Sequence, residues 1–251
     1  MDSQMNIWKY RLAQLVSLTQ PSRRQTGRRV LMYHSVGLEP EISKDIYSLS
    51  KQNFYQHMDL LEELSKNSIS KVVPIQSDFA SGVTITFDDG YQDTWTIATE
   101  ILVAKSFPFT VFVSSTNVIS GNPKFLSQAQ LIELSNAPGV TIGSHGHAHT
   151  HLARLSVSEI RSDLQYSKDW LEQTIQKPVK TLSYPHGSYN QEVVQIAQEV
   201  GYQFAATSNW GNYVVGTQTL EIPRIDIWSR DSATTLGQKL NGKWDWITRF
   251  V

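Results

Sequence analysis

The chain has 251 residues, a formal net charge of -1 and no cysteine. This length suits one large α/β domain, and the balanced charge excludes the basic surface that nucleic-acid binding requires. Disulfides, thiolate catalysis and cysteine-ligated zinc are excluded as well, so that any metal must be held by histidines and carboxylates.

Residues 1–29 form a basic segment, with six lysines and arginines and one acid, Asp2. The pattern predicts a helix from Ile7 to Leu18, with four apolar residues near one face: Trp8, Leu12, Leu15 and Val16. Two hypotheses stay open, because this helix could pack on the domain or rest on an anionic membrane surface. The chain contains neither a bilayer-spanning run nor a signal-peptide core. The expected location is the cytoplasm, with peripheral contact at the inner membrane face as an alternative.

From residue 30 to residue 251 we predict one domain in which strands and helices alternate. The predicted strands are runs rich in β-branched and aromatic residues, at 30–34, 84–87, 109–113, 140–144, 181–184, 204–207 and 220–228. The predicted helices lie at 49–64, 95–105, 127–134, 156–176 and 191–200. This alternation implies parallel strands with right-handed crossovers, and about seven units favour a distorted (β/α) barrel.

Reactive side chains follow the C-terminal ends of several predicted strands. His34, Asp88 with Asp89, and a histidine-rich stretch at 145–151 all occupy such positions, where α/β barrels build their active sites. Adjacent carboxylates are costly to bury unless a cation compensates them. One carboxylate and two imidazoles make a catalytic zinc set that leaves a position open for water.

Three motifs carry a family resemblance. The sequence TFDDG at 86–90, followed by GSHxxxHxxL at 143–152, resembles the first two motifs of the polysaccharide deacetylase superfamily (carbohydrate esterase family 4, the NodB homology domain). YPHG at 184–187 resembles the Tyr-Pro-x-Gly form of the third motif. The likeness runs from about residue 30 to about residue 228. It implies a NodB-like barrel and a metal-dependent carbohydrate deacetylase, which is a hydrolase of C–N bonds other than peptide bonds.

The resemblance implies that Asp89, His145 and His149 bind one divalent metal ion and that Asp88 is the catalytic base. Zinc is favoured, and cobalt, nickel, manganese and iron are alternatives. His147 and His151 have the same spacing as the two ligands. Only the pair His145 and His149, however, places a leucine where the motif has one, so the other two histidines are expected outside the metal site.

The third motif implies further site residues. His186 stands at the position of the motif's tyrosine, whose backbone N–H would stabilise an oxyanion. Tyr184, Pro185 and Gly187 are expected to bind substrate with it. Trp210, beside an asparagine and a glycine, is predicted to stack on a sugar face.

The chain departs from the family pattern in two places. Ser183 stands where the family has an arginine that orients the base, and no Leu-His-Asp follows Trp228. We predict that Arg224 reaches the base instead and that His34 is the general acid, since its strand would neighbour the last one in a closed barrel. Asp226 shares a strand face with Arg224 and could orient His34. The alternatives are that Arg224 is an ordinary ion-paired residue and that His34 is a hydrogen-bonded core histidine.

These residues favour removal of an acetyl group, most simply N-acetyl, from a sugar. The substrate would be a polysaccharide, an oligosaccharide, or a nucleotide- or lipid-linked precursor. One alternative is a catalytically inactive glycan-binding barrel, motivated by Ser183 and the missing C-terminal histidine. Another is a hydrolase of a different C–N bond, such as a formamide. The oligomeric state stays open.

Overall fold

The computed structural model describes residues 7–22, 27–37, 45–67 and 70–249. Within them, seven parallel strands form a closed barrel in which neighbours in the chain are neighbours in the sheet. The strands are β1 (Arg28–Tyr33), β2 (Gly82–Phe87), β3 (Phe109–Val113), β4 (Val140–Ser144), β5 (Thr181–Ser183), β6 (Phe204–Trp210) and β7 (Ile222–Asp226). The predicted seven-stranded (β/α) barrel is confirmed, and β1 begins two residues before the predicted domain boundary.

Helices connect and flank the strands. They are α1 (Ile7–Thr19), α2 (Lys51–Lys66), α3 (Gln92–Ile97), α4 (Ser115–Ile119), α5 (Gln128–Asn136), α6 (Val157–Ile175), α7 (Gln191–Val200) and α8 (Ala233–Leu240). Short 3-10 turns cover Leu152–Arg154, Pro185–Gly187 and Asp245–Arg249. Among the residues just described, no helix is long and apolar enough to cross a membrane.

Local signals in the sequence explain where several helices begin. Ser50 precedes α2 and its side chain accepts a hydrogen bond from the backbone N–H of Asn53. Ser156 and Glu159 form a capping box at the start of α6, satisfying backbone donors that the first helical turn leaves unpaired. The helix predicted over 95–105 instead begins at Gln92 and continues as a π-helix over Ala98–Leu102.

The closure of the barrel brings the two ends of the domain together. Leu31 on β1 pairs with Ile225 on β7, and Met32 pairs with Asp226. His34 directly follows β1, so it lies beside the C-terminal end of β7, as predicted from the strand order. All residues of β1, β2 and β3 are buried, which is why the sequences of β2 and β3 consist mainly of β-branched and aromatic residues without alternation.

The N-terminal basic segment is partly built into the fold. Arg28 is wholly buried, and its guanidinium donates to the carbonyl oxygens of Pro74 and Ile75 at 2.9 and 3.0 Å. Arg29 forms a two-pronged ion pair with Asp245 at 2.8–2.9 Å. Two of the six cations of this segment are therefore structural, because they pair with groups inside the fold.

The segment after α8 packs on the rest of the fold. Trp244 is wholly buried, and Trp246 donates from its indole N–H to the hydroxyl of Ser17 at 3.0 Å. Phe250, near the end of this segment, lies outside the described residues. The side chain of Trp8 and residues Arg23 and Arg24 lie outside them too.

Candidate active site

The two consecutive carboxylates follow β2 in a left-handed turn. Asp89 has φ 70° and Gly90 has φ 72°, a conformation that is uncommon for a residue with a side chain. The side-chain amide of Asn117 donates to the backbone oxygen of Asp89 at 3.0 Å. The backbone N–H of Asp88 donates to the carbonyl oxygen of Tyr33 at 2.9 Å, so the turn remains tied to β1.

Asp89, His145 and His149 form a compact cluster of potential metal ligands. Asp89 Oδ1 lies 3.4 Å from His145 Nε2 and 2.9 Å from His149 Nε2, and one donor atom from each residue falls within 4.8 Å of the others. Burial raises the pKa of Asp89, but its hydrogen bonds with the two imidazoles outweigh burial and hold it well below the ordinary value. The cluster is the donor set of a two-histidine, one-carboxylate cation site.

The tautomer of His145 suits metal binding. Its Nδ1 lies 2.7 Å from the carbonyl oxygen of Ser183, which can only accept, so Nδ1 carries the proton. With Nδ1 engaged in this way, Nε2, which faces Asp89, is the ring nitrogen that could bind a cation. Such a hydrogen bond on the far ring nitrogen is the usual support of a metal-binding histidine.

The loop that carries the two histidines of the cluster is anchored by Asp163, on α6. Its carboxylate accepts hydrogen bonds from the backbone N–H groups of His147 and Ala148, both at 2.8 Å. The His147 ring turns away from the cluster, with Nδ1 2.8 Å from the hydroxyl of Ser115 and the ring 4.3 Å from that of Tyr166. His147 is therefore outside the ligand cluster, as predicted. Asp163 has no sequence signature of its own, and the sequence reasoning missed it.

His186 connects the ligand loop to the third motif. Its ring lies 4.4 Å from the rings of both His149 and His151, and its Nε2–H donates to the backbone oxygen of His149 at 3.1 Å. His151 thus stacks on His186 outside the ligand cluster, in agreement with the prediction. The side chain of His186 also has a role in the packing here, whereas only its backbone was expected to matter.

Arg224 holds Asp88 in the manner that the sequence predicted. The guanidinium donates to both carboxylate oxygens of Asp88 at 2.7 Å and to the hydroxyl of Ser183 at 2.9 Å. Ser183 in turn donates to Asp88 Oδ2 at 3.1 Å. The Nε–H of Arg224 donates to the carbonyl oxygen of Thr207 at 2.8 Å, so the guanidinium is held on this side as well. Ser183, which replaces the family's arginine, therefore belongs to the same network.

The protonation of Asp88 follows from this network. Burial raises the pKa of the carboxyl, but the charges of Arg224 and His145 outweigh burial and lower it to about 2. Asp88 is therefore ionised at neutral pH. Its Oδ2 lies 3.9 Å from His145 Nε2, which places an ionised carboxylate directly beside the ligand cluster.

His34 lies near several carboxylates of the site. A positive charge on its ring would lower the pKa of Asp88, Asp89 and Asp226, and its ring centroid lies 4.6 Å from that of Tyr47, with the two ring planes tilted by 33°. His34 Nδ1 and Asp226 Oδ1 are both buried, and neither has a hydrogen-bond partner among the described residues. Burial raises the pKa of Asp226, although Lys239 and His34 oppose it. Tyr47 was not predicted to be near the site.

Two predicted substrate contacts belong to the core instead. Tyr184 is fully buried, with its hydroxyl on the carbonyl oxygen of Leu220 at 3.0 Å and its ring stacked on Tyr189 at 5.0 Å. Trp210 is 7% exposed and donates from its indole to Asp245 at 3.1 Å. Both predictions were wrong, because an aromatic ring enclosed by protein has no face free for a sugar.

The other members of the third motif shape the backbone. Pro185 is buried. Gly187 has φ 63°, and a Cβ atom there would lie 2.7 Å from the hydroxyl of Ser208. The close approach of β6 therefore requires glycine. The motif keeps His186 next to His149, and the buried Tyr184 and Pro185 anchor the turn that carries His186.

The fold and the carboxylate–histidine site define a family. The sequence profile described as polysaccharide deacetylase matches residues 78–205, just over half of the chain, and the protein belongs to this family.

Two curated relatives show how far this similarity extends. YxkH of Bacillus subtilis, provisionally named a polysaccharide deacetylase, is 28% identical over 191 residues, which cover 72% of this chain and 64% of YxkH. A poly-β-1,6-N-acetyl-D-glucosamine N-deacetylase of Staphylococcus epidermidis is 26% identical over 171 residues, which cover 64% of this chain and 59% of the relative. The chain thus spans less than two thirds of the length of either relative.

Solved structures share the barrel. The deacetylase PplD of Streptococcus pyogenes, solved with acetate, superposes with a TM-score of 0.73 at 22% identity, covering 85% of this chain and 98% of PplD. A polysaccharide deacetylase of Bacillus cereus superposes with a TM-score of 0.74 at 21% identity, covering 86% of this chain and 69% of that protein. At such low identity these likenesses support the fold.

Proposed function

We propose that this protein hydrolyses the acetamide of an N-acetylated sugar in a metal-dependent reaction, releasing acetate and leaving a free amine on the sugar. One observation carries the proposal. The ionised carboxylate of Asp88, fixed by Arg224, lies beside a cluster of three residues that can hold a cation. A base next to a cation site is what hydrolysis of an unactivated amide requires.

The cluster of Asp89, His145 and His149 fits a divalent metal ion, because its donor atoms converge and His145 already presents Nε2 to it. When bound, the ion would supply Lewis-acid chemistry, making a water more acidic and polarising the acyl oxygen. Zinc suits this donor set, as do cobalt, nickel, manganese and iron.

Asp88 would remove the proton from the attacking water. Arg224 occupies one bonding direction on each oxygen of Asp88, and Ser183 occupies the second direction on Oδ2. A carboxylate oxygen has two such directions, so Oδ1 can accept the proton. Arg224 and Ser183 also keep the carboxylate from rotating, so that the base stays aimed at the cluster.

His34 would donate a proton to the departing nitrogen. Its Nδ1 has no hydrogen-bond partner among the described residues, and the nearby buried acid Asp226 could orient it. The backbone N–H of His186, in a turn with φ 57°, would contribute to holding the negative charge that develops on the acyl oxygen. The water adds to the acyl carbon, the C–N bond breaks, and the amine leaves with the proton from His34.

The substrate class follows from the family and from one relative. The Staphylococcus epidermidis relative is named for a polymer of N-acetylglucosamine, and this supports an N-acetylated hexosamine here. The sugar would be part of a polysaccharide, an oligosaccharide, or a nucleotide- or lipid-linked precursor. The inactive glycan-binding barrel is disfavoured, because a binding module has no need for an ionised base beside a cation site.

The test is to incubate the protein with N-acetylglucosamine oligomers, nucleotide-linked N-acetylhexosamines and extracted lipid-linked glycans, and to identify the released acid by NMR. We expect acetate from at least one of them with zinc-loaded enzyme, and none from chelated enzyme or from Asp88→Asn. Formate in place of acetate would establish the alternative C–N hydrolase. Absence of any acid from zinc-loaded enzyme would favour the glycan-binding barrel.

A further inference from the structure

Helix α1 presents a row of leucines to solvent. Leu12, Leu15 and Leu18 are 63%, 61% and 58% exposed, and their spacing of three places them along one side of the helix. In the described residues, the other large apolar side chains with more than a third of their surface exposed, such as Phe79 and Val214, are spread over the sequence and do not form a row of three on one helix. A cluster of this kind is uncommon on a protein surface unless something binds there.

The opposite side of α1 fixes this orientation. Tyr10 is 3% exposed, and its hydroxyl donates to the backbone oxygen of Arg230 and to Asp231 Oδ1 at 2.8 and 2.9 Å. One turn from the other end, Ser17 is wholly buried and accepts the indole N–H of Trp246. The leucines cannot turn toward the barrel without breaking these bonds. The apolar side of α1 was predicted as one possible packing face, yet the barrel is contacted by its more polar side.

The charge of α1 restricts what can cover the leucines. The helix contains two cations, Lys9 and Arg11, and no acid, and Arg23 and Arg24 follow it in the sequence. Arg11 is exposed and lines a groove of about 430 Å³ together with Leu15, Leu18 and residues of α8. An apolar side with the exposed cation Arg11 beside it, on a helix without acids, matches the surface of an anionic bilayer, where leucines enter the acyl boundary and cations meet phosphates.

The contacts also orient α1 relative to the candidate active site. Tyr10, near the start of the helix, contacts the loop that follows β7, and β7 ends at Asp226 beside the site. Ser17, near its end, contacts Trp246, whose neighbour Asp245 pairs with Arg29 at the start of β1. The helix therefore runs along the barrel antiparallel to the strands. A surface lying against the leucines would border the end of the barrel where the strands open into the site.

We propose that α1 docks this protein on membranes that contain anionic phospholipids, through Leu12, Leu15 and Leu18 with the flanking cations. The docked barrel lies on its side, and its candidate site opens next to the lipid headgroups. This docking does not depend on the proposed reaction. If the reaction is as proposed, the geometry favours a sugar tethered to the membrane as substrate.

The test is co-sedimentation of the full chain with vesicles of phosphatidylglycerol and phosphatidylcholine in equal parts, and with phosphatidylcholine alone. We expect binding to the anionic vesicles that weakens as salt is added, and little binding to the neutral ones. The triple variant Leu12→Ser, Leu15→Ser, Leu18→Ser should bind on the order of 100-fold more weakly, because most of the apolar area that would enter the bilayer is lost. A melting temperature equal to that of the wild type establishes that it folds.

Two further variants sharpen the result. Phe79→Ser with Val214→Ser removes exposed apolar side chains elsewhere and should bind vesicles like the wild type. Lys9→Glu with Arg11→Glu should lose the preference for anionic vesicles. Deleting residues 1–29 is not a suitable test, because it also removes buried Tyr10. Wild-type protein that stays in the supernatant with anionic vesicles at low salt would overturn the proposal. So would a triple variant that binds as well as the wild type, or a dimer that the leucine substitutions dissociate without any vesicle binding.

Discussion

Replacing Arg224 with methionine is the most informative single change in the site. The arginine is wholly buried and makes two bonds of 2.7 Å to Asp88, and methionine fills much of its volume without the charge. Removing one partner of a buried ion pair costs about 3–5 kcal/mol, which for a chain of this size lowers the melting temperature by on the order of 10 °C. The loss of orientation at the base should lower kcat by about 100-fold.

The pH dependence separates a role at the base from simple packing. The pKa of Asp88 is about 2, against an ordinary value of 3.8. Because this pKa is depressed in the folded protein, the pair contributes about 2 kcal/mol of stability above pH 4, which is lost as the pH falls toward 2. In Arg224→Met the arginine charge no longer opposes the effect of burial on Asp88. The pKa of Asp88 therefore rises, and the acid limb of the activity profile moves to higher pH.

The assay is kcat against pH for the wild type, Arg224→Met and Arg224→Lys, together with thermal unfolding of each. Lysine keeps the charge but cannot donate to both oxygens of Asp88 as the planar guanidinium does. We therefore expect Arg224→Lys to retain much of the stability and less of the activity. The exchanged pair Arg224→Ser with Ser183→Arg returns the arginine to the family's position and should recover part of the lost rate. An Arg224→Met enzyme with the rate and acid limb of the wild type would show that this arginine is an ordinary structural ion pair.

Three other outcomes follow from the assigned roles. Asp88→Asn should abolish turnover and leave bound metal unchanged in elemental analysis, whereas loss of metal would mean that the two acids have exchanged roles. His149→Ala should lose both metal and activity, and His151→Ala, two residues further along the loop, should keep both. Equal metal loss in the two variants would refute the choice of His149 as the ligand. His34→Ala should lower kcat by roughly 10²–10⁴, the usual contribution of an acid or base, and an unchanged rate would make His34 a packing residue.

The barrel was predictable because its signals are local. Runs such as 109–113 and 140–144 match the observed strands residue for residue, since β-branched residues favour strands. The position of Arg224 was accessible too. In a closed parallel barrel the last strand must lie beside the first, which places a residue at 224 within reach of the acids after β2.

Features that depend on packing between distant segments were not predictable. Trp210 has the neighbours of a sugar-binding tryptophan in the sequence, but Asp245 and the tail enclose it. Asp163 anchors the ligand loop from a helix where it has the appearance of an ordinary surface acid. The leucines of α1 show the same limit, because periodicity reveals an apolar face without showing which side of the helix meets the protein.

The most direct test of the central claim is a zinc titration of the chelated enzyme, with the rate of acetate release from the best substrate followed at each addition. The cluster of Asp89, His145 and His149 predicts that activity rises linearly and saturates at one zinc per chain, and that Asp89→Ala stays inactive throughout. Acetate release that is undiminished by chelation, or a fully active Asp89→Ala enzyme, would contradict the account.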